Sequence, residues 1–228
     1  MKITFKRNNV TDSECILSIT FLFVLFFFCF TPSYETNDDA LMNFIASGSL
    51  TGIPSAAFLF SNYLYGYFVS KLYVLSDNIN WYPIIFIIVQ YFSWLSFGFS
   101  LLKKTKSRIV FVCFLLVLII FGYYFLLKLQ FTSTAFLAEC AGAVLFFQYL
   151  KNNENQSKLF YVAYFFLLIG ALIRWDCFIA CCILACPFLF YLLKDNHFKV
   201  RMHPRYIFLL LLFLLPVINS FAYHSFYQ

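Results

Sequence analysis

The chain has 228 residues, of which 63% are hydrophobic and 11% charged, and its formal net charge is +6. Soluble domains are about 45–50% apolar and about 25% charged, so this composition excludes a water-soluble globule. Long unbroken apolar stretches such as residues 109–127 also exclude a transmembrane β-barrel, whose strands alternate apolar and polar residues. The 16 basic residues are dispersed in short loops, which argues against a nucleic-acid partner.

The apolar stretches predict an all-α, polytopic helical membrane protein with a single transmembrane domain over residues 1–228. A helix needs about 20 predominantly apolar residues to cross a bilayer. Seven stretches approach that length: residues 16–30, 81–102, 109–127, 131–150, 159–173, 177–193 and 206–223. The first stretch follows basic residues, as in a secretory signal. No small-residue cleavage site follows it, so we expect an uncleaved span.

Orientation depends on residues 53–75, an aromatic stretch that is long enough to cross but carries polar residues. If it crosses, ten of the 16 basic residues are exported; if it lies on the outer surface, 13 are cytoplasmic and only Lys71, Lys128 and Arg174 are external. Basic loop residues favour the cytoplasm. We therefore predict seven spans in the plasma (inner) membrane, a cytoplasmic amino terminus and an external loop over residues 31–80. Within that loop, we expect residues 40–50 and 54–75 to form interfacial helices.

The external loop holds the main candidate site, because Glu35, Asp38 and Asp39 place three carboxylates within five residues directly after a span. Neighbouring carboxylates repel, so two ionised ones require a divalent cation such as Mg²⁺ or Mn²⁺, an arginine or a shared proton. One of them could act as a general base on an acceptor hydroxyl. A solvated acidic loop is the alternative.

Four further residues carry charge near or inside the predicted spans. Glu139 lies within the stretch 131–150 on a face of small residues, which either packs against another helix or lines a wet cavity. Arg174 lies at an outer helix junction, where its guanidinium could bind a lipid phosphate or pair with Asp176. Lys71 and Lys128 could contribute as external cations, although lone lysines at helix ends commonly extend toward the interface.

The order of these features resembles a known family. Residues 37–39 (Asn-Asp-Asp) follow the first span, residues 47–54 (Ser-Gly-Ser-Leu-Thr-Gly-Ile-Pro) come next, and the following span opens at Trp81 and Tyr82. This layout resembles the amino-terminal part of GT-C type glycosyltransferases, membrane enzymes that use polyprenyl-phosphate sugars. The resemblance implies that Asp38 and Asp39 lie at the active site, near a metal where one is used or near the acceptor. It also implies a longer protein, so we expect a truncated chain or a minimal module.

The leading hypothesis is a membrane glycosyltransferase that moves a sugar from a polyprenyl-phosphate donor to a cell-surface glycan or lipid acceptor. Asp38 and Asp39 are then catalytic, and they are metal ligands if a divalent cation is used. The candidate substrate-binding residues are Glu35, Lys71, Lys128, Glu139 and Arg174. Two alternatives stay open: a transporter or flippase-like carrier with Glu139 as its intramembrane carboxylate, and a receptor or assembly subunit without chemistry.

Overall fold

A computed structural model describes residues 9–151, 157–194 and 206–227, and these residues are mostly helical. The predicted all-α class is confirmed for them. The helices are α1 (Asp12–Cys29), α2 (Asn37–Ser47), α3 (Tyr63–Leu75), α4 (Trp81–Thr105), α5 (Arg108–Leu127), α6 (Phe131–Lys151), α7 (Ser157–Ile173), α8 (Trp175–Lys194), α9 (Tyr206–Leu212) and α10 (Leu215–Tyr227). Two short strands, β1 (Ser33–Tyr34) and β2 (Lys128–Leu129), form a parallel pair.

Four of the described helices are long and apolar enough to cross a membrane, namely α1, α4, α5 and α6. Helix α7 and residues 175–191 and 209–222 are apolar but shorter, so the crossing of all seven predicted stretches stays a prediction. Large apolar side chains cover the outer surface of the long helices. On α5, for example, Ile109 is 77% exposed and Ile120 is 68% exposed, which is compatible with lipid as their solvent.

Helix α6 is the centre of the packing, because it contacts α4, α7 and α8, while α1 packs on α4 and α5. Small residues let α6 and α7 approach closely. A Cβ atom added at Gly142 would lie 3.0 Å from the Ala163 carbonyl oxygen and 2.8 Å from Leu167 Cγ. Such small-residue contacts are typical of helix pairs in membranes.

The start of α1 and the ends of α4 and α6 lie at one end of the bundle. The backbone N–H of Val10 donates to the Lys106 carbonyl (3.3 Å), and Gln148 Nε2 donates to the Ser100 carbonyl (3.3 Å). We call this end the Lys104 end; it carries Lys103, Lys104, Arg108 and Lys151. The orientation prediction also uses Lys2, Lys6, Arg7, Lys199, Arg201 and Arg205, which lie outside the described residues.

The opposite end is organised by the two short strands. Ser33 lies opposite Lys128 and Tyr34 opposite Leu129, and the next backbone N–H, that of Glu35, donates to the Leu129 carbonyl at 3.1 Å. This pairing joins the chain that follows α1 to the connection between α5 and α6. We call this end the Asp39 end and define it by residues 33–39, 128–132 and 174.

The connection between α1 and α4 differs from prediction in one respect. Helix α2 ends at Ser47, where Gly48 adopts a φ of +77°, and residues 54–62 are not helical. The expected helix over residues 54–75 is therefore wrong in its first part. The reason is local: the Asn62 side chain accepts the Leu64 N–H at 3.0 Å and caps α3, so that helix begins only at Tyr63. With 13 residues, α3 is about 20 Å long at 1.5 Å per residue, shorter than a bilayer core.

Candidate functional site at the Asp39 end

Asp39 is fully buried and accepts hydrogen bonds from three separate segments. The Thr36 hydroxyl donates to Oδ2 (2.7 Å), and the Phe131 backbone N–H (2.9 Å) and the Tyr82 hydroxyl (3.3 Å) donate to Oδ1. The carboxylate therefore ties the first turn of α2 to the first residue of α6 and to the first turn of α4.

The local sequence explains this arrangement. Thr36 is the N-cap residue of α2, and Asp39 stands at the third helical position, where a side chain can turn back toward the cap. Helix α6 begins at Phe131 and leaves its first N–H groups without partners inside the helix. Asp39 thus lies at two helix N-termini, and both macrodipoles favour a negative charge there.

Burial raises the pKa of Asp39, and the nearby charge of Asp38 acts in the same direction. The hydrogen bonds from Thr36, Phe131 and Tyr82 lower that pKa, but burial outweighs them. A raised pKa brings a carboxyl group nearer to the range in which it can exchange a proton at neutral pH.

Asp38 behaves differently from its neighbour, because its side chain is exposed whereas Asp39 has no accessible surface. Successive helical residues point about 100° apart, so the two carboxylates do not face a common ligand. Among the described residues, no group of three or more His, Cys, Asp or Glu side chains is arranged to hold a metal ion. The Asp38–Asp39 pair therefore does not fit a divalent cation.

Arg174 lies beside the same helix start. Its Nη1 donates to Thr132 Oγ1 at 2.6 Å, and its guanidinium lies 4.8 Å from the centre of the Phe131 ring. Its Nε also lies 3.6 Å from Asp176 Oδ2, which is the intramolecular pair that the sequence offered as an alternative. Asp39 and Arg174 therefore contact consecutive residues of α6, and the structure brings an acidic and a basic candidate to one helix terminus.

Glu35 and Lys128 lie on the strand side of this end. The Glu35 carboxylate accepts a hydrogen bond from the Tyr124 hydroxyl, and Lys128 Nζ donates to Ser33 Oγ at 3.3 Å. Lys128 also lines a surface pocket of about 430 Å³ between the ends of α1 and α5. The pocket is lined chiefly by Phe27, Phe28, Cys29, Phe30, Tyr123 and Leu127.

Two predicted site residues lie apart from this group. The Lys71 ammonium lies 5.2 Å from the centre of the Tyr67 ring on α3, an exposed cation–π contact. Glu139 is fully buried between α6 and α7, where a Cβ atom added at Gly170 would collide with its carboxyl group. Neither Glu139 oxygen has a hydrogen-bond partner among the described residues. The sequence left two alternatives for the face of small residues that carries Glu139, namely packing against another helix or lining a wet cavity. The structure shows it packed against α7.

Sequence reasoning missed the hydroxyl groups that hold the acidic side chains. Thr36 had a signal, because a Thr three residues before an acidic residue at a helix start is a capping pattern. Tyr82, Tyr124 and Thr132 had none, since their contacts join residues far apart in the chain; Tyr82 and Asp39 are 43 residues apart.

Comparison of this chain with models of protein families, with curated proteins and with solved structures found no match. The resemblance to GT-C type enzymes therefore rests on residues 37–39, 47–54 and 81–82 of the sequence.

Proposed function

We propose that this chain acts in glycosyl transfer at a membrane, moving a sugar from a polyprenyl-phosphate donor to a glycan or lipid acceptor. The observation that carries the proposal is the convergence at the Asp39 end. Glu35, Asp39, Lys128 and Arg174 contact either the strand pair or the first two residues of α6. Acidic groups for a hydroxyl acceptor and basic groups for a phosphate are thus held in one region.

The pocket beside Lys128 supports a lipid-linked donor. Aromatic and aliphatic groups form about half of its lining and polar groups the other half, and Lys128 is among the lining residues. A polyprenyl chain would occupy the apolar part, while the ammonium would bind the phosphate as a point charge. The phosphate is the leaving group in such a transfer, so a cation beside it stabilises the charge that develops when the sugar–phosphate bond breaks.

The two aspartates take different roles in this proposal. Asp38 is exposed and can reach an acceptor hydroxyl, so it is the general base that removes the proton as the new glycosidic bond forms. Asp39 is buried and fully engaged, so it is a positioning residue that fixes the start of α6 and the adjoining Thr132–Arg174 contact. Glu35 lies on the strand side with the donor pocket, and Arg174 lies beside the start of α6.

The test measures release of polyprenyl phosphate from polyprenyl-phosphate hexoses by the full chain in lipid vesicles, with membrane glycolipids added as acceptors. This product appears whichever sugar is moved. General base catalysis is worth about 10²–10⁴-fold, so Asp38→Asn should lower kcat by at least 100-fold and leave folding intact. Lys128→Gln should mainly raise KM for the donor.

The matched control is Asp77→Asn, which removes one exposed carboxylate from the connection that precedes α4. It should leave release unchanged. Equal rates for the Asp38→Asn, Asp77→Asn and unmodified chains would refute the assignment of Asp38. Absence of any release above protein-free vesicles, for every hexose in the panel, would refute the proposed reaction.

One observation favours a carrier as the second candidate: Glu139 is buried at mid-helix with no hydrogen-bond partner among the described residues, and ionisable groups in such positions commonly serve transport. In that case the vesicles should show proton-coupled uptake without release of polyprenyl phosphate, and Glu139→Gln should abolish that uptake. Glycosyl transfer predicts the reverse. Asp38→Asn should lower polyprenyl phosphate release by at least 100-fold, whereas Glu139→Gln should leave that release nearly normal. The two variants therefore separate the two functions.

A further inference from the structure

A second and larger cavity, of about 1020 Å³, lies between α4, α5, α6 and α8. Its walls are aromatic and aliphatic over most of their area, including Phe97, Phe121, Phe136 and Phe147. Along α6 it runs from Phe136 to Lys151, which is about 22 Å at 1.5 Å per residue. That length exceeds half of the roughly 30 Å hydrocarbon core of a bilayer.

Charge is concentrated at one end of this cavity. Lys103, Lys104 and Lys151 line it at the Lys104 end, and the side chains of all three are exposed there. No acidic side chain lines the cavity among the described residues. The cavity is therefore apolar along its length and cationic at its mouth.

Two of the residues that line the cavity, Ser100 and Trp94, each carry a buried polar atom without a partner in the described part of the chain. Ser100 Oγ lies one helical turn below Lys103 and Lys104, and Trp94 Nε1 lies deeper on the same helix. Ser100 is 7% exposed and Trp94 is 5% exposed. A buried donor without an acceptor costs about 1–3 kcal/mol, so a ligand that brings an oxygen to the depth of Ser100 would be stabilised there.

We propose that this cavity binds an anionic phospholipid of the leaflet at the Lys104 end. One acyl chain lies along the aromatic wall, the phosphate lies between Lys104 and Lys151, and an ester carbonyl accepts the Ser100 hydroxyl. The cavity has an apolar length, then a hydroxyl for which the described residues provide no partner, then positive charge at its mouth, and this is the order of groups in a phospholipid. This site is at the opposite end of the bundle from the donor pocket beside Lys128 and does not depend on the proposed reaction.

The alternative is a general attraction of basic helix ends to anionic lipid surfaces, worth about 1 kcal/mol per Lys or Arg. The chain provides a matched comparison for it. Lys106 and Lys158 are exposed at the same end but do not line the cavity, whereas Lys104 and Lys151 do. Both double variants, K104Q/K151Q and K106Q/K158Q, remove two positive charges.

The experiment uses Trp94 as the reporter. In a W81F/W175F background, Trp94 is the only tryptophan of the chain. The full chain is reconstituted in phosphatidylcholine vesicles that contain either chain-brominated phosphatidylglycerol or chain-brominated phosphatidylcholine at equal mole fraction. Bromine quenches tryptophan fluorescence on contact, so the ratio of the two quenching constants reports preference for the anionic lipid inside the cavity.

We expect brominated phosphatidylglycerol to quench at least five-fold more effectively, corresponding to about 1 kcal/mol for a single lysine contact. K104Q/K151Q should bring the ratio close to one, and K106Q/K158Q should leave it within two-fold of the starting value. Equal quenching by the two lipids in the starting protein would overturn the proposal. So would an equal fall in both double variants, which would assign the effect to the surface charge. Because these lysines are exposed, the helicity of each variant by circular dichroism should be unchanged. The single variants K104Q and K151Q should each give a quenching ratio between those of the starting protein and K104Q/K151Q.

Discussion

Replacement of Asp39 by Ala should destabilise the protein more than any exposed acidic substitution in the same loop. The change removes the acceptor of the Phe131 N–H and of the Tyr82 hydroxyl, and both of these residues are buried. Each buried donor left without an acceptor costs about 1–3 kcal/mol, so the expected loss in free energy of unfolding is about 2–6 kcal/mol. The Thr36 hydroxyl is partly exposed and can turn to water, so it adds little.

The assay is reversible unfolding in mixed micelles with increasing sodium dodecyl sulfate, followed by circular dichroism and tryptophan fluorescence. Asp38→Ala is the matched control, because it removes the adjacent carboxylate from an exposed position on the same helix. It should leave the transition nearly unchanged. If Asp39→Ala and Asp38→Ala unfold at the same denaturant concentration, then the three hydrogen bonds do not join α2, α4 and α6 as described, and the positioning role is refuted.

Three more outcomes follow from the same contacts. Because burial raises the pKa of Asp39, the contribution of this carboxyl group to stability is complete below the ordinary Asp pKa of about 3.9 and is lost as pH rises through the folded-state pKa. The free energy of unfolding of the unmodified chain, taken relative to that of Asp39→Asn, should therefore fall as pH is raised from 4. A rise over that range would contradict this. Gly142→Ala should cost about 1–3 kcal/mol in the unfolding assay, since its Cβ would meet Leu167 at 2.8 Å, whereas Gly122→Ala, with nothing nearer than 3.6 Å, should cost little; equal costs would show that α6 and α7 are not packed this closely. Glu139→Met should raise the free energy of unfolding by about 1–3 kcal/mol, because it removes a buried carboxyl group that has no hydrogen-bond partner in the described ranges; a loss of stability would imply a partner for Glu139.

The long helices were predictable because their signal is local. A run of apolar residues bounded by Lys or Asn marks its own start and end, and α4, α5 and α6 lie within a few residues of the predicted stretches 81–102, 109–127 and 131–150. The short helices were less predictable. Pro54 and the aromatic residues after it read as a helix, but the Asn62 cap decided where α3 begins.

The site was predictable only as a set of residue types. An acidic cluster after a span is visible in the sequence, but its division into an exposed Asp38 and a buried Asp39 is not, because it depends on which face of α2 meets α6. The contact that fixes it joins Asp39 to Phe131, 92 residues away. A hydrogen bond between an acidic side chain and a distant helix start leaves no periodic pattern, since any residue can supply a backbone N–H.

The sequence carries one signal for the central position of α6, which is the low hydropathy of that helix. Among the four long helices, α5 has a mean hydropathy of 2.9 with 28% of its span buried, whereas α6 has 1.3 with 56% buried. A helix that faces lipid must be apolar on every side, but one surrounded by other helices can carry small and polar residues. The least apolar span is therefore expected at the centre of the bundle. In this chain it is the helix whose first residue binds Asp39, whose middle carries Glu139 and whose last residue, Lys151, lines the mouth of the large cavity.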